Sequence, residues 1–220
     1  MKRARAWAEF FYLLIAACPL FALPMHPSVY SDECSTGAEF HDAALKSSVF
    51  RDKPRGFRAY GELLIRRSER ALRCTATYRL WTARAAGPFA VAKSVEFDLE
   101  EGQIAGIELI GFSPDGAMFA ADFLWAEGDG TVHHPVVLNR KSRQAADKEL
   151  GDQIHDRIHV HGCDQMEDFI GVTNAGEAVF AVPPSIYDDS PECGDKGVWR
   201  FNLKTGRVHR VAKISGVKWR

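Results

Sequence analysis

No run of like charge marks this chain: 28 lysines and arginines stand against 29 aspartates and glutamates, a formal net charge of -1. Lacking a basic tract to displace condensed counterions, it does not read as a nucleic-acid binder. Its short basic stretches, Arg66-Arg67 and Arg140-Lys141 with Arg143, read as solvated strand or turn faces. No two cysteines stand at the Cys-x-x-Cys spacing that zinc sites use, which argues against a cysteine metal centre. Enzyme templates are missing too. Gly111-Phe112-Ser113-Pro114-Asp115 is not Gly-x-Ser-x-Gly, no phosphate-binding glycine loop occurs, and no His-Glu-x-x-His appears. Carboxylate pairs brought together from distant strands would leave no such local signature, so these absences lower the odds of catalysis without excluding it. No catalytic set and no cofactor is assigned.

What is present begins at the N-terminus. Lys2, Arg3 and Arg5 precede an apolar run from Phe10 to Leu23, the layout of a secretory signal over residues 1–22. The run falls short of the roughly 20 residues needed to cross a hydrocarbon core of about 30 Å, and Pro19 interrupts it. Within it Ile15-Ala16-Ala17-Cys18 resembles a bacterial lipobox, which implies acylation of Cys18; the apolar Pro19-Leu20-Phe21 that follows favours ordinary cleavage after Ala22. The expected location is therefore exported, whether periplasmic, secreted or an outer-envelope lipoprotein. Membrane contact is expected only through that lipid anchor or an uncleaved signal. Removing residues 1–22 takes away three basic residues and Glu9, so the net charge becomes -1 minus 2, or -3. With 46% hydrophobic residues the remainder can bury one domain core.

Outside the signal stand Cys34, Cys74, Cys163 and Cys193, an even number in an oxidising compartment, so two disulfides are expected. Three connectivities exist; Cys34 with Cys74 and Cys163 with Cys193 is favoured, because each pair encloses a short, loop-containing stretch. Each bridge is worth roughly 2–4 kcal/mol.

Residues 23–57 read as an irregular lead-in broken by Pro24, Pro27, Pro54 and Gly56, with a short helix around 39–49. From residue 58 to 216 the period becomes two. In Leu72 to Leu80 even positions are apolar, placing Cys74 inward, and residues 60–66 pair back through Ser68-Glu69 as a hairpin. Val91, Val95, Phe97 and Leu99 alternate likewise, as do Val132, His134, Val136 and Leu138, which points His133 to water. The fold class is all-β, with antiparallel sheets.

Internal echoes sharpen this. Ile110-Gly111-Phe112-Ser113-Pro114-Asp115-Gly116-Ala117 matches Ile170-Gly171-Val172-Thr173-Asn174-Ala175-Gly176-Glu177, each followed by an apolar strand. Pro114 presets the first turn position, Asp115 bonds nearby amides, and Gly116 takes a positive φ. Phe97 to Ile104 matches Phe201 to Val208, with Leu138-Asn139-Arg140-Lys141-Ser142 a fainter copy, each read as a hairpin. A unit opening and closing in this way has the order of a four-stranded blade. The Ser113-Pro114-Asp115-Gly116 turn resembles the WD-like β-propeller repeats of the TolB type, and the resemblance covers about three units over roughly residues 75–214. It implies blade-type sheets in an incomplete propeller or an open, sandwich-like arrangement, since propellers close with about 4–8 blades.

For chemistry, His155, His159 and His161 stand beside Asp156, Cys163 and Asp164. Ala146, Leu150, Ile154 and Ile158 recur every four residues, so a short helical insertion would put His155 and His159 on one face, a spacing that suits a metal. Solvated loop histidines are the competing reading. The acidic residues Asp188, Asp189, Glu192 and Asp195 lack calcium-loop order and read as a solvated loop. Tyr187 and Trp199 flank that 183–195 insertion and could furnish an aromatic contact surface. The expected function is a non-catalytic binding or scaffold module that contacts a protein or glycan through sheet-end loops. A metal-dependent hydrolase using the three histidines is the alternative.

Overall fold

A computed structural model describes residues 26–32, 34, 43–67, 73–127, 130–148, 168–182 and 197–211. Its strands are β1 (Ser28–Ser31), β2 (Ala43–Lys46), β3 (Phe50–Asp52), β4 (Phe57–Arg67), β5 (Arg73–Arg84), β6 (Ala90–Glu100) and β7 (Ile104–Phe112). The remainder are β8 (Met118–Glu127), β9 (Gly130–Asn139), β10 (Ala145–Asp147), β11 (Asp168–Val172), β12 (Glu177–Val182), β13 (Gly197–Asn202) and β14 (Val208–Val211). They form three antiparallel sheets: β2-β4-β5-β6 with β3 also on β4, then β1-β7-β8-β9-β10, then β11-β12-β13-β14. None of the three closes on itself, and no helix occurs among the described residues.

The middle sheet is packed on both faces. Phe119, Ala121, Phe123, Val136 and Leu138 join Leu63, Ile65, Tyr78 and Leu80 of the first sheet in one core. The alternate residues Ala120 and Val137 join Phe169, Phe180, Trp199 and Phe201 of the third sheet in another. A strand buried on both faces loses its polar alternation, and this explains one departure from the sequence reading. His133, expected to face water, is 8% exposed. Its ring sits 5.9 Å from the Phe180 ring, and its Nδ1 lies 2.6 Å from Asp122 Oδ2. His134 faces the other core, as alternation requires, against Phe97 and Phe123.

The disulfide joins Cys34 to Cys74 with their Cα atoms 5.9 Å apart, and both are buried. It carries structural information beyond the loop it closes. Upstream of Cys34, β1 pairs with β7 of the middle sheet, with Val29 opposite Ile107, whereas Cys74 lies in β5 of the first sheet. The bridge therefore ties two layers together. It is compatible with an oxidising compartment. The second expected pair, Cys163 with Cys193, lies outside the described residues, as do the signal segment and Cys18.

Four other expectations are corrected. The lead-in over 23–57 is not irregular throughout, since β1, β2 and β3 fall in it. The helix expected over 39–49 is replaced at Ala43–Lys46 by a strand paired to β4, with Ala43 opposite Ile65; tertiary pairing outweighs the local helix preference of alanine and leucine. The helical insertion expected to begin at Ala146 starts instead in β10, where Ala146 pairs with Val137; residues 149–167 lie outside the description. In β6 a bulge after Leu80 gives Trp81 opposite Val91 in place of Ala92, so Val91 turns outward and is 45% exposed.

The first and middle sheets approach closely at Gly61, where a Cβ would stand 2.6 Å from Ile107 Cγ2. At the outer edges Asp147 joins them, with Lys93 Nζ 2.7 Å from Oδ1 and His134 Nε2 3.1 Å from Oδ2. Burial opposes ionisation of Asp147, yet the bonds from Lys93 and His134 outweigh it and hold the carboxyl below its ordinary value.

Three outcomes follow. Cys34→Ser lowers unfolding free energy by roughly 2–4 kcal/mol in urea titration, and reductant has little further effect at this site. Gly61→Ala costs about 1–3 kcal/mol through overpacking against Ile107. Because the folded carboxyl of Asp147 titrates below its ordinary value of 3.8, its contribution is complete above that pH and is lost as pH falls through the lower folded value. Asp147→Asn should therefore flatten the acid limb of a stability-versus-pH curve.

Candidate functional site: a basic cleft at the sheet ends

Six turns gather at one end of the stacked sheets, since β4, β6, β8, β10, β12 and β14 all start there. Two of these turns are built alike. Ser113 N donates to Met118 O, Gly116 N to Ser113 O and Met118 N to Ser113 Oγ; Thr173 N donates to Glu177 O, Gly176 N to Thr173 O and Glu177 N to Thr173 Oγ1. Gly116 and Gly176 take φ of 70° and 77°. Asp115 Oδ1 accepts from Ala117 N and Ser113 Oγ, bonds that hold its carboxyl below the ordinary value, with Arg55 adding to the effect. Asp115 N in turn donates to Asn174 Oδ1 at 3.1 Å, linking the two turns.

A second pair of turns matches bond for bond. Asn139 Oδ1 accepts from Lys141 N and Ser142 N, and Arg143 N donates to Asn139 O. Asn202 Oδ1 likewise accepts from Lys204 N and Thr205 N, and Gly206 N donates to Asn202 O. The fainter sequence copy at 138–142 is thus the close geometric counterpart of 201–208. The stronger copy, 97–104, is no hairpin: it carries the chain from β6 in the first sheet to β7 in the middle one.

Between the first and middle sheets the β3–β4, β5–β6 and β9–β10 turns border a cleft of about 400 Å³. Arg55, Arg84, Arg140, Lys141 and Arg143 line it with Gly56, Phe57, Thr82, Ala83 and Ala85, and no carboxylate does. Several of the cations are held. Arg55 Nη1 lies 2.6 Å from Asp52 Oδ2, and its guanidinium lies 5.2 Å from the Phe112 ring centre. A Cβ on Gly116 would collide with that guanidinium, so the glycine makes room for it. Arg84 Nη2 donates to Lys141 O at 3.2 Å, and Arg140 N donates to Ala117 O. Arg140 Nε is buried and makes no hydrogen bond among the described residues. Asp52 offsets one of the five charges; the other four have no ion pair among the described residues.

Backbone strain concentrates here. The only non-glycine residues with positive φ among those described are Ala85, at 40°, and Arg143, at 58°, and both line the cleft. In the matching β13–β14 turn the left-handed position is Gly206, at φ 71°. An L residue there costs roughly 1–2 kcal/mol that glycine avoids, so at Arg143 a side chain is retained where the turn favours none.

Of the residues singled out by sequence, Ser113, Pro114, Asp115 and Gly116 form the β7–β8 turn beside the cleft, and Gly176 the β11–β12 turn. His155, His159, His161 and Tyr187 lie outside the described residues. Trp199 is not a surface aromatic: it is 8% exposed and belongs to the second core, because it alternates inward with Phe201 along β13. The cleft itself was missed. Its signal was present, since Arg55, Arg84 and Arg140 to Arg143 each sit at a strand end or turn; only knowing that residues 101–103 cross between sheets brings those turns to one end.

Compared with family models, curated proteins and solved structures, the chain matches none. The residue geometry alone therefore carries the argument. Arg143→Gly should raise stability by about 1 kcal/mol in thermal or urea unfolding while removing a cleft cation.

Proposed function

We propose that this chain is an exported, non-catalytic binding module that holds an acidic group of a protein or glycan partner in the basic cleft at its sheet ends. The observation that carries the reading is the clustering of five cations without a carboxylate around one cavity, in a chain whose overall charge is -1. Such local polarity focuses a field that attracts a counter-charged partner. The strained Arg143 backbone supports it, because unfavourable φ concentrates where function requires a side chain. Export is supported by the basic-then-apolar N-terminal segment and by the buried disulfide.

In this reading the three sheets are consecutive blades of an open propeller-like array, supported by the paired turns at 113–118 and 173–177 and at 139–144 and 202–207. The first sheet is one end of the array among the described residues. Its outer face carries Glu62, which accepts from Trp81 Nε1 and pairs with Lys46 and Arg79. That face is mixed: Tyr60 stacks on Trp81, Phe89 packs on Tyr60, and Glu62 itself is 7% exposed.

The test is binding of fluorescent polyglutamate and dextran sulfate by anisotropy. Native protein is expected to bind at least one of them, more weakly as salt rises above about 0.15 M. The Arg84→Glu, Arg140→Glu double variant, with an unchanged melting temperature, is expected to lose about ten-fold or more in affinity, 1.4 kcal/mol. Undiminished binding by that variant would remove the cleft from the account.

A further inference from the structure

The geometry points to a polysaccharide bearing phosphate or sulfate esters as the occupant of the cleft, an assignment that rests on the anionic-partner reading above. The first argument is charge. Four cations with no ion pair among the described residues line one cavity; a single carboxylate would leave most of that charge unmet, whereas a phosphate monoester carries about -1.5 to -2 and a run of phosphate or sulfate esters along one chain supplies several charges. The second is direction. The cations come from three separate segments: Arg55 from the β3–β4 turn, Arg84 from the end of β5, and Arg140, Lys141 and Arg143 from the β9–β10 turn. One guanidinium fork satisfies a planar carboxylate bidentately. Donors on several sides suit a tetrahedral group whose oxygens point several ways. Arginine outnumbers lysine four to one in the lining, the preference expected where fork geometry matters as well as charge.

The rest of the lining selects among carriers of such esters. Nucleic acid binding in grooves relies on aromatic side chains that stack bases, and the one aromatic here, Phe57, is only 6% exposed and packs on Phe112 and Phe119. A membrane surface is engaged by basic residues beside an exposed apolar face. The large apolar side chains exposed among the described residues are Tyr30, Val91 and Ile104. Tyr30, paired with Gly106, and Ile104 lie at the opposite end of β7, and Val91, at the start of β6 on the cleft's end, is one exposed side chain and not an apolar face. What remains is a concave site with Gly56, Thr82, Ala83 and Ala85 between the cations. Its volume of about 400 Å³ lies within the roughly 300–1,000 Å³ of small-ligand sites. Small side chains leave room for a sugar ring, and the arginines take its esters.

Full-length mature protein is titrated against dextran sulfate and carboxymethyl dextran matched in length and charge density, phosphatidylglycerol vesicles, and a single-stranded oligonucleotide. Dextran sulfate is expected to bind about ten-fold more tightly than carboxymethyl dextran and more tightly than vesicles or oligonucleotide. Arg84→Lys and Arg143→Lys, which keep charge and lose the fork, are expected to narrow the sulfate-to-carboxylate ratio while binding persists. Equal affinity for the two dextrans would overturn the ester assignment and leave the anionic reading standing. Tighter binding to vesicles or oligonucleotide would overturn the polysaccharide. Binding to none of the four would overturn the ester assignment, and the anionic reading with it if polyglutamate also fails to bind.

Discussion

Burial of the middle sheet on both faces is the constraint on which the rest of this structure depends. β8 and β9 present one set of alternate residues to the first core and the other set to the second. No solvent face is left to them over most of their length, so a third layer is required and the sheets stack in chain order. Stacking in turn brings the turns of successive sheets to one end. Gly61 allows the close approach of β4 to β7, and the Cys34–Cys74 bridge makes the association of the first two layers partly covalent.

The β character and the hairpin of β4 with β5 were legible because Leu72 to Leu80 alternates cleanly and because that sheet has one water-facing side. Alternation failed where that premise failed. His133 reads as exposed in any one-faced sheet, and only the third layer buries it against Phe180. Val91 was misplaced for a local reason, a bulge that shifts parity without leaving a mark in the sequence. The turn at 113–117 was readable from residue types, since serine, proline, aspartate and glycine each have one dominant turn role. Similar residues at 97–104 and 201–208 nonetheless serve different connections, because the same glycine turn can reverse a chain within a sheet or hand it to the next.

Charge was the least legible property. A net of -1 is an average over the chain, whereas a ligand meets the few side chains that surround it. Arg55, Arg84 and Arg140 to Arg143 are separated by tens of residues and become neighbours only through strand register and layer order. Arg143 is the most informative of them. Its turn has the same hydrogen bonds as the turn containing Gly206, so the arginine is not required by the fold and works against it. The turn's hydrogen bonds and its basic side chain thus have separate reasons.

The most direct test of that separation is hydrogen exchange measured by mass spectrometry with and without dextran sulfate. The account expects slower exchange confined to the turns at 53–56, 85–89 and 140–144, with the strands of both cores unchanged. Protection spread evenly over the surface, or centred at the opposite end around residues 101–103, would contradict a binding site in the basic cleft.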